Sequence, residues 1–272
     1  MKKSISSIYI GLVFLFLYAP ILVMIALSFN SADQSISIWD GFTLDNYRVL
    51  LENDKLIDAL INSLVIALFS AVGASILGTI GALGLNNVKK GRGFLMNLSN
   101  LPIINPEIVT GVSLMLLFVV LFSMKLGFIT VLLSHIVFNT PYVILNVLPR
   151  LRRMDKNLYE AALDLGCTPA KTFFKVELPA ILPGIVSGLM IGFTLSLDDF
   201  VISHFVSSPD FQTLPLYVYN QTAHNVKFSM YALCTIMILA ILFLLIAVNV
   251  AGSMGERRAL KKACKALKGG VR

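Results

Sequence analysis

Three carboxylates lie in strongly apolar stretches of the chain, where a charged side chain is costly. Glu107 ends the stretch L-P-I-I-N-P-E, and Asp198 and Asp199 lie within T-L-S-L-D-D-F. An ionisable group inside a membrane span is a candidate functional residue, because it normally faces a polar path or a partner. Spaced carboxylates stabilise a cation, and Phe200 offers an aromatic wall for cation–π contact. We therefore predict that Glu107, Asp198, Asp199 and Phe200 line a cation pathway.

Each of these acids also has a structural interpretation. Glu107 lies in the headgroup zone if its span begins at Ile108, but the prolines at 102 and 106 favour a broken helix that lines a cavity. Asp198 and Asp199 could form a polar boundary and a helix cap. Adjacent side chains point in different directions on a helix, so at most one of this pair is expected to face the path.

Other candidate chemistry is sparse. His135 is a lone imidazole in an apolar stretch, and we interpret it as a hydrogen-bonded residue of a helix bundle. No Ser/His/Asp or metal-ligand cluster is visible, and the three cysteines form no pair or C-x-x-C motif. No catalytic residue, metal or cofactor is predicted. Because G-x-x-x-x-G-K-[ST] is absent, we expect that ATP is bound by a partner and not by this chain.

The composition is that of a membrane protein. Of 272 residues, 57% are hydrophobic and 14% are charged, whereas soluble domains average about 45–50% apolar and about 25% charged residues. The apolar runs are continuous and not alternating, which favours an all-α membrane protein over a β-barrel. We predict six transmembrane helices, the first of them retained, near residues 8–29, 59–85, within 94–122, 127–148, 180–197 and 230–250.

The distribution of charge predicts the orientation. Eighteen of the 22 Lys and Arg residues fall at the N-terminus, in 86–93, in 149–179 and in the C-terminal tail. This positive-inside pattern places these segments and both termini in the cytoplasm of a bacterial cell. The net charge of +7 is therefore read as a sign of membrane orientation, and no nucleic-acid partner is predicted.

One long polar insert, residues 155–179, interrupts the apolar sequence. Asp155 can cap a short helix, and Gly166 is suited to a left-handed helix end. Thr168-Pro169 starts a second helix, and Leu178-Pro179 is expected to close it, since the residue before proline disfavours the α region. The insert is predicted to form two short helices at a sharp cytoplasmic corner.

The same insert resembles the EAA loop of binding-protein-dependent ABC importer permeases. The matching residues of this coupling motif are Glu160, Ala161, Ala162, Gly166, Val176, Leu178 and Pro179. In that family the loop docks into a groove of the ATPase subunit, so the resemblance implies an ATPase-coupling role for these residues. An amphipathic connector without a partner is the alternative.

Further segments are similar to the PotC-type permeases of spermidine/putrescine importers. They are P-E-I-V from Pro106, L-P-A-I-L-P-G-I from Leu178 and F-T-L-S-L-D-D-F from Phe193. The resemblance implies a MetI-like fold and inward transport of polyamines. It also implies a PotB-like second permease, two PotA-like ATPase subunits and a PotD-like binding protein. Glu107 occupies a position that can be Asp in these permeases, which leaves the preference between spermidine and putrescine open.

The outer loop 30–58 is acidic and holds the only tryptophan, Trp39. It either receives a cationic cargo or its carrier, or it simply lacks Lys and Arg as an outward loop, and we include Trp39 among the pathway candidates. Its stretch G-F-T-L-D-N-Y resembles F-T-x-x-N-Y of polyamine-type permeases. We divide the chain into residues 1–58, a permease core of 59–252 and a basic tail of 253–272, which is expected on the anionic inner leaflet.

Three alternatives remain at this point. A permease of the same fold for another cationic solute fits the acids and the corner equally well. A gradient-driven cation transporter or channel explains the acids but not the corner. A membrane enzyme is disfavoured by the absence of a recognisable cluster of catalytic residues.

Overall fold

The computed structural model describes residues 2–31, 39–88, 90–222 and 228–239, together with Leu242, and these residues are mostly helical. The helices in chain order are α1 (Lys2–Leu27), α2 (Asp45–Leu51), α3 (Asp54–Asn87), α4 (Arg92–Ile104), α5 (Glu107–Leu116), α6 (Phe128–Arg153), α7 (Lys156–Asp164), α8 (Pro169–Thr172), α9 (Leu178–Asp198), α10 (Val201–Val206), α11 (Leu214–Thr222) and α12 (Phe228–Leu239). Within this part of the chain, β structure is limited to two isolated bridges. The predicted all-α fold is confirmed.

Only some of these helices are long and apolar enough to span a membrane. Among the described residues, four helices are long and apolar enough to cross a membrane: Tyr9–Leu27, Asp54–Asn87, Phe128–Arg153 and Pro169–Asp198. The helical pair Arg92–Ile104 and Glu107–Leu121 is bent by 101° and forms either a broken span, which would be the fifth, or a re-entrant loop. Most of the predicted sixth span, 230–250, lies outside the described residues. The count of six and the cytoplasmic placement of both termini therefore stay predictions.

The chain forms two compact units, one made of residues up to Asn53 together with those from Thr222 onward, and one running from Asp54 to Gln221. In the first unit, the F-T-x-x-N-Y stretch ties α2 to the end of α1. The Asn46 side chain donates to the backbone oxygens of Ser28 and Asn30, and the hydroxyls of Tyr47 and Ser28 lie 2.7 Å apart. The Phe42 ring stacks on Phe29. This motif is therefore a structural clamp within its unit.

The core of the second unit is the packing of α3, α6 and α9. Small residues permit it, as in other helix pairs within lipid. A Cβ added at Gly184 would lie 2.8 Å from the backbone oxygen of Asn146, and one at Gly188 would lie 3.0 Å from the Cα of Val143. The backbone of α9 therefore rests directly on α6.

The corner at residues 155–179 forms largely as predicted. Asp155 accepts a hydrogen bond from the Asn157 N–H and caps α7, and Gly166 adopts a φ of +83° at the following turn. Thr168 caps α8, which has Pro169 at its first position.

The prediction that Leu178-Pro179 closes the second helix is wrong. Leu178 has φ −58° and ψ −47°, and the chain passes through the π-helical turn Phe173–Glu177 directly into α9. Pro179 lacks an N–H, and it directly follows this π-helical turn, where the helical path widens and continues without that hydrogen bond. Pro169–Asp198 consequently runs as one helix of 30 residues.

Candidate functional site

The two adjacent acids lie where α9 ends and α10 begins, and they have different surroundings. Asp198 is the last residue of α9; it is exposed and forms no hydrogen bond or ion pair with the described residues. The Asp199 side chain is only 6% exposed. Its carboxylate accepts hydrogen bonds from the N–H groups of Ile202 and Ser203, at 3.2 and 2.8 Å, and so caps α10. The capping acid, Asp199, and the acid without such partners, Asp198, are thus adjacent in sequence.

His135 of α6 joins this cap from across the bundle. Its Nε2 lies 3.2 Å from Oδ2 of Asp199 and 3.1 Å from the Ser203 hydroxyl, which itself donates to Asp199 at 2.8 Å. The imidazole side chain is 2% exposed. The expectation of a hydrogen-bonded bundle histidine is confirmed, and its partner is a carboxylate that we had predicted for the pathway.

The other ring nitrogen of His135 continues the polar chain. Nδ1 lies 2.6 Å from the Ser196 hydroxyl of α9, which accepts a 3.0 Å hydrogen bond from Ser70 of α3. A neutral imidazole satisfies every group when Ser196 donates to Nδ1 and Nε2–H donates to Asp199. This chain of buried side chains links α3, α9, α6 and α10.

The sequence alone did not show this cluster. Ser196, His135 and Asp199 make the pairwise contacts of a Ser/His/Asp arrangement, although the histidine lies 61 residues from one partner and 64 from the other in sequence. The Ser196 side chain is 4% exposed and does not line the neighbouring cavity. A nucleophile needs an approach for its substrate, so the arrangement serves as a structural linkage.

Glu107 lies at the break between α4 and α5. Pro106 precedes it with a φ of −56° and a ψ of 134°, which ends the helical path, and Glu107 opens α5 with an exposed side chain. One turn later, a Cβ at Gly111 would lie 2.9 Å from the Phe205 ring and 3.4 Å from the Cα of Ile202. This close approach seats α10 on α5 and thereby brings the starts of both helices together.

These elements enclose a cavity of about 160 Å³. Its lining consists of Glu107, Phe138, Leu195, Asp198, Asp199, Phe200 and Val201. The Phe200 ring is held by a tilted contact with Tyr219 at 4.4 Å between centroids. The fold therefore gathers four of the predicted pathway residues, and Phe138 is a wall residue that sequence reasoning missed, since nothing distinguishes it from the other phenylalanines. Trp39 belongs to the other unit, where 56% of its surface is exposed.

The predicted coupling residues lie at the corner formed by residues 155–179. Glu160, Ala161, Gly166 and Pro179 are exposed, and Ala162 and Leu178 are half-buried. Large apolar side chains around them are also exposed, with Leu165 at 86% and Phe174 at 64%. Glu160 further lines a cavity of about 710 Å³ together with Arg92, Arg152 and Glu177. Exposed apolar residues at this density are typical of an interaction surface.

Comparison with known proteins extends these observations. The family described as "Binding-protein-dependent transport system inner membrane component" matches residues 74–252. The putrescine transport system permease protein PotI of Escherichia coli (strain K12) is 42% identical over 238 residues, which are 84% of this chain and 83% of the relative. The spermidine/putrescine transport system permease protein PotC of the same strain is 37% identical over 236 residues, which are 86% and 89% of the two chains.

Two solved structures share the fold at low identity. A bacterial ABC transporter involved in the import of the acidic polysaccharide alginate has a TM-score of 0.70 and 18% identity, covering 91% of this chain and 94% of the other. The MetNI methionine ABC transporter in an inward-facing conformation has a TM-score of 0.61 and 16% identity, covering 76% and 95%. At such identities they show the fold alone, and the expected MetI-like fold is confirmed.

Proposed function

Since this chain belongs to the family of binding-protein-dependent transport system inner membrane components, we propose that it is the permease subunit of an ATP-driven importer of polyamines. The observation that carries the cargo assignment is the cavity between α5, α6 and the α9–α10 break. It presents two exposed carboxylates, Glu107 and Asp198, beside the aromatic rings of Phe138 and Phe200. The printed names of relatives at 37–42% identity, which refer to putrescine and spermidine, agree with it.

The chemistry of the cavity suits an alkyl chain with an ammonium group at each end. Each carboxylate can accept hydrogen bonds from one ammonium group, and such charge-assisted bonds are the stronger kind. The methylene stem between the two groups packs on aromatic faces, which also attract the cationic ends. An anion would meet only acidic groups here, so anionic cargo is disfavoured at this site.

The remaining candidates receive supporting roles in this proposal. Asp199 lines the cavity, but its oxygens are already engaged with α10 and His135. Trp39, exposed in the acidic outer loop, would receive the cargo or its carrier before it reaches the cavity.

The cytoplasmic corner supplies the coupling to ATP in the same proposal. A PotA-like ATPase would cover the exposed apolar residues Leu165 and Phe174 and contact Glu160. Two such ATPases, a PotB-like second permease and a PotD-like binding protein would complete the importer. Closure of the ATPases would displace the corner, and the helix Pro169–Asp198 would carry that motion to the acids.

Reconstituted transport tests this proposal. Proteoliposomes holding this chain with its second permease, ATPases and binding protein are supplied with radiolabelled putrescine or spermidine. We expect saturable, ATP-dependent uptake, reduced about tenfold or more by Asp198→Asn, because a hydrogen bond to a charged group contributes about 1.5–3 kcal/mol. Asp210→Asn, at an exposed acid outside this cavity, is the matched control and should transport normally.

The other outcomes point to the alternatives. An assembled complex that hydrolyses ATP but moves no polyamine would contradict the cargo and keep the importer class, in favour of another small cation. Uptake that persists with an inactivated ATPase and stops with an uncoupler would contradict the importer and favour a gradient-driven transporter.

A further inference from the structure

The buried histidine of α6, His135, accounts for the difference between the consecutive acids Asp198 and Asp199. Asp199 has three donors from the helix that follows it, α10, namely two backbone N–H groups and the Ser203 hydroxyl. The remaining contact, from His135 Nε2, comes from a different helix. His135 is therefore the polar link between α6 and the α9–α10 break.

This link distinguishes the two acids of the break. Both line the cavity, but the Asp199 carboxylate is buried and held by His135 and α10, whereas Asp198 at the end of α9 is exposed. The far side of the imidazole is held in turn by Ser196 and, through it, by Ser70. Both ring nitrogens are thus anchored, and the ring cannot turn without losing a buried hydrogen bond.

We infer that His135 is a positioning residue for transport: by holding Asp199 inside the bundle, it makes Asp198 the acid that meets the cargo. His135 itself does not line the cavity and acts through Asp199. The inference rests on the proposed function for its link to polyamine uptake, but the orientation of Asp198 can be tested without any cargo.

Two polar substitutions test the contacts of the two imidazole nitrogens separately. The amide of His135→Gln reaches about as far as Nε2 and retains a donor for Asp199. The amide of His135→Asn reaches only as far as Nδ1, so it retains the contact with Ser196 and loses Asp199. Both variants keep a polar group in the same buried place, which makes each the control for the other.

The first measurement is the accessibility of position 198. In the full complex, Cys167, Cys234 and Cys264 are replaced by serine, Asp198→Cys is introduced, and the rate of labelling by the cationic thiol reagent 2-aminoethyl methanethiosulfonate is followed. We expect a rate within twofold of the His135 parent for His135→Gln, and a rate at least fivefold lower for His135→Asn. Equal rates in all three proteins, or a higher rate in His135→Asn, would overturn the inference.

The second measurement is uptake per assembled complex, with Asp198 intact. His135→Gln should transport putrescine within threefold of the parent, and His135→Asn at least tenfold more slowly. If His135 acts through Asp199, His135→Asn combined with Asp199→Asn should be no slower than the slower single variant, within twofold. Effects that multiply would contradict that route.

The two measurements separate failure of this inference from failure of the proposed function. If the parent complex moves no polyamine, the proposed function fails while the labelling rates still decide the orientation of Asp198. Should His135→Asn fail to assemble, Asp199→Ser takes its place, because serine can still cap α10 while its shorter side chain gives up the contact with His135. Its labelling and uptake are judged by the same limits.

Discussion

At the scale of single residues, the three acids that line the cavity differ in how far their side chains are exposed, and not in their chemical type. Glu107 and Asp198 are exposed at helix ends, whereas Asp199 is buried and serves as a cap. A carboxylate that already accepts several hydrogen bonds has little capacity left for a cargo ammonium group. Among these three acids, Glu107 and Asp198 therefore have carboxylates with the capacity to accept such a group.

Glu107→Gln tests the second free acid. The substitution keeps the size of the side chain and removes its charge, so we expect polyamine uptake to fall at least fivefold with normal assembly of the complex. Glu52→Gln is the control, because Glu52 forms an exposed surface pair with Arg48 at 3.0 Å and such pairs contribute little. Equal uptake by both variants, measured in the same proteoliposomes, would rule out a role for Glu107.

The sequence predicted the candidate acids but not which of them are exposed and which one is buried as a helix cap. Glu107 and Asp198 were recognisable because charge is rare in apolar segments. The contact of His135 with Asp199 was not recognisable, because it depends on the rotation of α6 about its axis, and hydrophobic periodicity leaves that rotation undetermined when most faces are apolar. Phe138 was missed for the same reason.

At the scale of elements, the glycines of α9 are not equivalent. A Cβ at Gly184 would meet a backbone oxygen of α6 at 2.8 Å, whereas the nearest atom to a Cβ at Gly192 is Cβ of Asn139, at 3.5 Å. Backbone atoms cannot yield as side chains do. Gly184, Gly188 and Gly192 recur at four-residue spacing, a pattern that favours close helix packing in lipid, and the structure shows which of these positions require it.

Alanine substitutions should reveal this difference in thermal stability. Gly184→Ala is expected to lower the midpoint of thermal unfolding of the purified complex, because α6 and α9 must separate. Gly192→Ala should leave the midpoint unchanged or raise it, since alanine is favoured over glycine in a helix by about 0.5–1 kcal/mol. A decrease of equal size in both variants would show that the contact with α6 is not the cause.

The turn after α7 offers a test of the coupling corner. Gly166 has a φ of +83°, and a Cβ there would meet nothing within 4 Å, so a substitution is limited by backbone strain and not by space. Gly166→Val, whose β-branched side chain disfavours this conformation, should lower the ratio of polyamine transported to ATP hydrolysed. Gly166→Asn should preserve that ratio, because asparagine adopts left-handed conformations more readily. Equal ratios for the two variants would show that this turn has no role in coupling ATP hydrolysis to transport.

Sequence rules located the corner but misplaced its end. Caps and glycine are local signals, and all three were read correctly at Asp155, Gly166 and Thr168. The effect of Pro179 depends on what precedes it, because a helix that widens into a π turn can accept proline in the next turn. That widening is set by packing along the whole helix and has no signature of its own at the proline.

At the scale of the whole molecule, the orientation in the membrane rests on the distribution of Lys and Arg. The natural cysteines allow a direct measurement, because Cys167 lies in the corner and Cys264 in the basic tail. A membrane-impermeant maleimide should label both in inside-out vesicles and neither in right-side-out vesicles. Asp210→Cys, on the predicted outer side, should show the opposite pattern. Labelling of Cys264 from outside would contradict the predicted six spans with cytoplasmic termini.

The uninterrupted helix from Pro169 to Asp198 has a mechanical consequence. Thirty residues at about 1.5 Å each make a helix roughly 45 Å long, with the corner at one end and Asp198 at the other. Gly184 and Gly188 bring the middle of this helix against α6, so we expect a displacement at the corner to pivot the helix there and to move Asp198 in the opposite direction. The π-helical turn near the corner would then be the flexible part of this helix, and stiffening it would change how far Asp198 moves in each transport cycle.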